Sequence, residues 1–179
     1  MTASLPLIAA VLVSPHIFYL WVWTRSKDFL ALSRSLFGKA ANPCHSMAVI
    51  AYGFKFAQIV SVLYWYLTID GFEWPTITAF RALVLVVGVV VGQALNIGVY
   101  KALGEDGIFY GVKFEKNIPW WTGFPYNVVS HPQYVGAMIT IYSATVMVYT
   151  SAHAGQGMYP LLGAWTAGYA LSAVSEQYL

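Results

Sequence analysis

The chain has 179 residues, 59% of them hydrophobic, 17% aromatic and only 9% charged, with nine Lys and Arg against seven Asp and Glu. Soluble domains carry roughly 25% charged residues, so this composition excludes a soluble globular domain, a disordered chain and a coiled coil, and leaves a multi-pass helical membrane protein. The net charge of +2 comes without a basic tract, which excludes a nucleic-acid surface, and the single Cys44 excludes internal disulfides and Cys-rich metal sites.

Five apolar segments follow in chain order. The first, residues 5–24, is not preceded by positive charge and ends in bulky Trp21-Val22-Trp23, so it reads as a retained segment rather than a cleaved signal peptide. Pro15 within it predicts a kinked span, with a re-entrant hairpin as the alternative. The second, residues 46–69, is interrupted by Lys55 and Gln58, and the third covers residues 77–102. The fourth, residues 132–150, rises about 28 Å as a helix, just enough for the hydrocarbon core. The fifth covers residues 158–175, and the small, polar link 151–157 predicts an antiparallel hairpin of the last two helices. No internal repeat divides the chain, so residues 1–179 read as one all-α integral membrane domain of about five membrane segments.

Charge placement orients this bundle. Residues 25–45 hold Arg25, Lys27, Arg34 and Lys39, and the third connection holds Lys113 and Lys116 beside Lys101. Residues 70–76 carry only Asp70 and Glu73. The positive-inside rule puts the first and third connections in the cytosol. An odd number of spans then brings Glu176 to the same face.

The connection 104–131 is far longer than the 2–8 residues of an ordinary helix link. Its glycines, Gly104, Gly107 and Gly111, either let backbone approach a ligand or form turns and close helix contacts. His131 precedes Pro132, so it caps the fourth helix beside free backbone N–H groups, an end suited to a carboxylate or phosphate. The same residues also suit a plain interfacial cap with a belt tyrosine at Tyr134. Lys55 lies inside a span, where a charge either serves function or snorkels to the interface. His16, His45, His131 and His153 are scattered without ligand partners at useful spacing, so no metal site is expected.

Leu103-Gly104-x-x-Gly107, Phe124-Pro125-Tyr126-Asn127 and His131-Pro132-Gln133-Tyr134-Val135-Gly136 stand in a stretch, residues 96–136, that closely resembles the phospholipid N-methyltransferases. The plant-type enzymes acting on phosphatidyl-N-methylethanolamine are the most similar. The His-Pro-x-Tyr-x-Gly element also occurs in isoprenylcysteine carboxyl methyltransferases and sterol reductases, and its combination with the other two motifs narrows the choice.

The resemblance implies S-adenosyl-L-methionine as methyl donor and a phospholipid acceptor drawn from the bilayer. It implies conversion of phosphatidyl-N-methylethanolamine and its dimethyl product to phosphatidylcholine, in the endoplasmic reticulum with the site facing the cytosol. The family's donor contacts align with Val90-Val91-Gly92, where only Gly92 matches, and with Glu176-Gln177, where only Glu176 matches. Gly107, Tyr110, His131, Pro132 and Tyr134 complete the expected donor site. His131, Glu105 and Glu176 are candidates for the base that takes the acceptor's ammonium proton. Lys55, Lys113 and Lys116 are candidates for the lipid phosphate. Phe124, Tyr126 and Asn127 are candidates for the headgroup, with Trp120 and Trp121 offering further aromatic faces or an interface belt. Two rivals stand beside this reading: a prenylcysteine carboxyl methyltransferase, whose motif carries Arg where this chain has Ser130, and a non-catalytic scaffold or lipid-binding protein. Oligomeric state is not legible in the sequence.

Overall fold

Prolines and short polar side chains set where the helices begin. Pro6 opens α1 (Leu5–Thr24), and Asn42 caps α3 (Pro43–Thr68) by accepting from the Cys44 amide. Thr78 caps α4 (Ala79–Ile108) through the Arg81 amide, and His131-Pro132 opens α5 (Pro132–Val148). Thr150 caps the short α6 (Ser151–Gly155), and α7 (Met158–Tyr178) ends the chain's helices. Between α1 and α3 lies α2 (Ser26–Phe37), and a single 3₁₀ turn spans Gly111–Phe114. The computed structural model describes residues 4–178, and no strand occurs among the described residues.

Three helices, α1, α3 and α4, are long and apolar enough to cross a membrane by length and composition. The other two expected segments are also helices. However, α5 has 17 residues and α7 dilutes its 21 with Gly, Ser, Thr and Tyr. The first segment is one continuous helix rather than a re-entrant hairpin. Pro15 supplies no N–H to its own helix and crowds the Val11 carbonyl. Ser14 Oγ donates to the Val11 oxygen at 2.9 Å, and Gln58 Nε2 reaches from α3 to the Leu12 oxygen at 2.7 Å. Where no water is at hand, these side chains satisfy the disturbed carbonyls.

The stretch read as the first connection contains α2. Phe29 and Ser33 turn into the bundle, while Lys27, Asp28 and Arg34 face outward and Leu32, Leu36 and Phe37 stay exposed. Ser33 Oγ donates to Ser46 Oγ on α3 at 2.8 Å. The link 151–157, expected as a plain turn, likewise contains α6.

Two intimate helix pairs organise the rest. On α4, Gly88 and Gly92 face Ser143, Gly136 and Thr140 of α5, and a Cβ on Gly92 would fall 2.5 Å from the Gly136 carbonyl oxygen. On α7, Gly168 lies against the His16 imidazole of α1, and His16 Nδ1 shares a 2.8 Å hydrogen bond with Ser172 Oγ. Such small-residue crossings are how helices associate where the surroundings are as apolar as the helices. The last two helices therefore follow one another in sequence but pack mainly on α4 and α1, so the expected C-terminal hairpin is splayed. One buried cluster (Val22, Phe29, Met47, Val99) fills the end that carries most charges, and another (Leu12, Trp65, Ile69, Leu161) fills the opposite end.

Gly92→Ala is expected to destabilise the protein by about 1–3 kcal/mol, because backbone must move to admit the methyl group. Gly53→Ala, at a helical site with nothing within 4 Å of the added Cβ, is expected to be neutral or stabilising by up to about 1 kcal/mol. Thermal unfolding of the two variants in the same detergent checks the contrast.

Candidate active site

The site begins where α4 breaks. Gly104 has φ 63° and ψ −177°, a backbone state that only glycine adopts readily. The break turns residues 105–114 across the charged end of the bundle. Three contacts hold this segment: His45 Nδ1 to Glu105 Oε1 at 3.0 Å, Lys116 Nζ to Asp106 Oδ1 at 2.7 Å, and Asn42 Nδ2 to Asp106 Oδ1 at 3.3 Å. Each is at least partly exposed and stabilises little alone. Together they set the path that carries Tyr110 inward.

Tyr110 has φ 59° and is 7% exposed, and its hydroxyl donates to Glu176 Oε1 of α7 at 2.6 Å. The Tyr134 hydroxyl, from the first turn of α5, donates to the same oxygen. Two phenol donors offset part of the desolvation of a largely enclosed carboxylate. Glu176 Oε2 has no hydrogen-bond partner among the described residues.

A cavity of about 330 Å³ opens in front of this carboxylate. Its walls include Trp23, Gly107, Tyr110, Trp120 and Tyr126, together with His131, Pro132, Gln133, Tyr134 and Glu176. His131 makes no side-chain cap, so the amides of Gln133 and Tyr134 stand without intrahelical partners at the N-terminus of α5. The cavity thus pairs a positive helix end with a carboxylate. Trp23 carries a buried indole N–H with no partner among the described residues, and Lys113 Nζ lies 3.9 Å from the centre of its ring. Burial, and then the Glu176 charge, push the Tyr126 phenol above its ordinary value. An adjoining apolar cavity of about 570 Å³, which includes Ile118 and Trp121, shares Trp120 and Tyr126 as walls.

Seven expected site residues therefore meet around one space: Gly107, Tyr110, Tyr126, His131, Pro132, Tyr134 and Glu176. Others stand elsewhere. Val90 and Val91 face outward at 62% and 44% exposure, and Gly92 serves the α4–α5 crossing. Glu105 is turned to His45 and does not border the cavity. Gln177 and Asn127 are exposed. The Phe124 ring packs on Gly98 of α4. Lys116 is engaged by Asp106, and Lys55 Nζ donates to the Tyr169 hydroxyl at 2.7 Å and to Gln58 at 3.2 Å, within the bundle. Sequence reasoning missed Trp23 and Gln133 as wall residues. Trp23 closes the bulky end of the first apolar run, and its place on the cavity wall depends on the packing of α1 against the connection.

Residues 77–166, half of the chain, match the profile of the phospholipid methyltransferase family. The chain belongs to that family. An Arabidopsis thaliana protein named phosphatidyl-N-methylethanolamine N-methyltransferase is 37% identical over 136 residues, covering 75% of each chain. No solved structure matches. The chain is thus a membrane phospholipid methyltransferase, and the matched stretch holds the Gly104 break, the connection and α5. Trp23 and Glu176, which close the cavity, lie outside it.

Tyr110→Phe removes a hydroxyl from the Glu176 carboxylate and is expected to lower stability by about 1.5–3 kcal/mol, the range for hydrogen bonds to charged groups. Thermal unfolding of this phospholipid methyltransferase and the variant near neutral pH reads the difference. An unchanged midpoint would show that the contact has no weight in the folded state.

Proposed function

We propose that this chain methylates phosphatidyl-N-methylethanolamine and its dimethyl product to phosphatidylcholine, with S-adenosyl-L-methionine as donor. The observation that carries the reading is the cavity that Glu176, held by two tyrosine hydroxyls, shares with the N-terminal residues of α5. The donor ends in an α-amino acid, one ammonium beside one carboxylate. A carboxylate acceptor and a helix N-terminus set around one space are the complementary pair. The unpartnered Trp23 indole N–H offers one further donor, and a volume of about 330 Å³ suits a small-molecule ligand. The residues present therefore fit the group.

When bound, the donor supplies an electrophilic methyl group on sulfur. The chain's own residues do the rest. Glu176 binds the ligand's ammonium, and the Gln133 and Tyr134 amides bind its carboxylate. Trp120 and Tyr126 present aromatic faces to the acceptor's ammonium and, after the last methylation, to a quaternary headgroup that can no longer donate a hydrogen bond. His131 borders both the cavity and the groove between α5 and α7, so it takes the acceptor's proton. Of the earlier candidates, Glu105 is set aside because it pairs with His45 outside the cavity. Holding donor and acceptor side by side in one cavity supplies much of the rate.

We place the enzyme in the endoplasmic reticulum as one domain of about five membrane segments, with the cavity toward the cytosol. Seven of the nine Lys and Arg stand in the first and third connections or beside them, at the cavity end, which supports that orientation.

With labelled donor, label is expected to enter phosphatidylcholine from both the one-methyl and the two-methyl acceptor. Label in a prenylcysteine ester instead would overturn the acceptor. Glu176→Gln is expected to weaken donor binding at least about tenfold, or about 1.4 kcal/mol, measured as loss of the thermal shift that saturating donor gives the wild type. His131→Ala is expected to lower kcat by about 10²–10⁴.

A further inference from the structure

Because α5 pairs with α4 and α7 pairs with α1, the α5 and α7 faces that look at each other are left apart. Two ties bridge the gap. Tyr134 on α5 reaches Glu176 on α7, and Tyr142 on α5 shares a 2.9 Å hydrogen bond with Thr166 on α7. Between them lies an apolar groove of about 560 Å³. Its α5 wall is Val135, Met138 and Ile139, and its α7 wall includes the small Ala170 and Ala173. Eight residues of α5 separate the ties, about 12 Å of helix, against about 15 Å for half of a hydrocarbon core. His131 and Tyr134 border both this groove and the polar cavity, so the two spaces share a wall.

We propose that this groove cradles an acyl chain of the acceptor phospholipid, and that the Tyr142–Thr166 pair is the floor that sets how much chain it holds. The inference rests on the proposed function and adds the element that selects the acceptor's chain. A phospholipid must keep its chain in hydrocarbon while its headgroup nitrogen enters a polar cavity. A groove that begins at the cavity wall, runs between two apolar helices and ends within one leaflet's depth meets both demands. Small side chains at Ala170 and Ala173 leave the room, and no Asp, Glu, Lys or Arg borders the groove.

The test compares one-methyl acceptors bearing short or long acyl chains, presented in detergent to the full-length enzyme. Ala173→Leu and Ala170→Leu, made separately, fill the groove. Each is expected to raise KM for the long-chain acceptor at least about tenfold, leaving KM for the short-chain acceptor and the donor's thermal shift unchanged. Tyr142→Phe opens the floor and is expected to shift the preference toward longer chains. Equal effects on both acceptors, or on neither, would overturn the proposal. A second measurement needs no variant: a phospholipid with a photoreactive group in mid-chain is expected to label α5 and α7 of the wild type. Adducts confined to other helices, or labelling blocked by a second copy seated on this face, would also overturn it. Transfer of label to no acceptor at all would instead overturn the proposed function, so the two failures are distinguishable.

Discussion

Where α4 and α5 cross, the chain has no room for a side chain: a Cβ at Gly92 would meet the Gly136 carbonyl oxygen at 2.5 Å, and one at Gly88 would meet Ser143 Oγ at 1.7 Å. In hydrocarbon, apolar burial gives helices no reason to associate, so such backbone contact is what brings two of them together. This crossing sets the start of α5 beside the end of α4. Pro132, Gln133 and Tyr134 then face the segment that turns at Gly104. Pairing α5 with α4 also holds it off α7, which opens the groove and leaves Glu176 to be reached only by long tyrosine side chains.

Polar groups inside the bundle obey the same constraint from another side. His16 is 1% exposed and Gln58 is 0% exposed, yet each finds a partner: Ser172 for the imidazole, the Leu12 carbonyl for the amide. Lys55 is held by Tyr169 and Gln58. A charge inside a span invites a functional reading, and here the structure gives it a bundle-internal role, joining α3 to α7 across α1. The few polar side chains in the apolar region thus fasten helices together. Those at the charged end, Tyr110, Tyr134, Glu176 and the free amides of α5, shape a space for something else.

Some of the site was legible because the chain announces it locally. His131-Pro132 marks a helix start by steric rule, and a connection far longer than a helix link marks a built structure. Both hold, and Gly107, Tyr110 and Tyr126 of that connection border the cavity. Val90 and Val91 were candidates by alignment with a motif, but which face of a helix looks inward depends on its partner, and α4 turns that face outward. Glu105 and Asp106 are adjacent acids just after the Gly104 break in α4. Nothing local says that His45, sixty residues earlier, takes one and Lys116 the other. Which residues of 26–37 turn inward is not a matter of apolar spacing: packing on α3 and α1 buries Phe29 and polar Ser33 and leaves Leu32, Leu36 and Phe37 exposed.

The amino-acid sequence by itself determined the class: an apolar, charge-poor helical chain of the phospholipid methyltransferase family, with its polar business gathered in one long connection and at Glu176. These are properties of composition and of short motifs, and they survive without knowing any distance. Only the tertiary structure decided which of those residues meet. That depends on two helix crossings permitted by glycine, on the direction in which Gly104 turns the chain, and on two tyrosines converging on one carboxylate. Each is a long-range coincidence of position, which spacing along the chain does not encode.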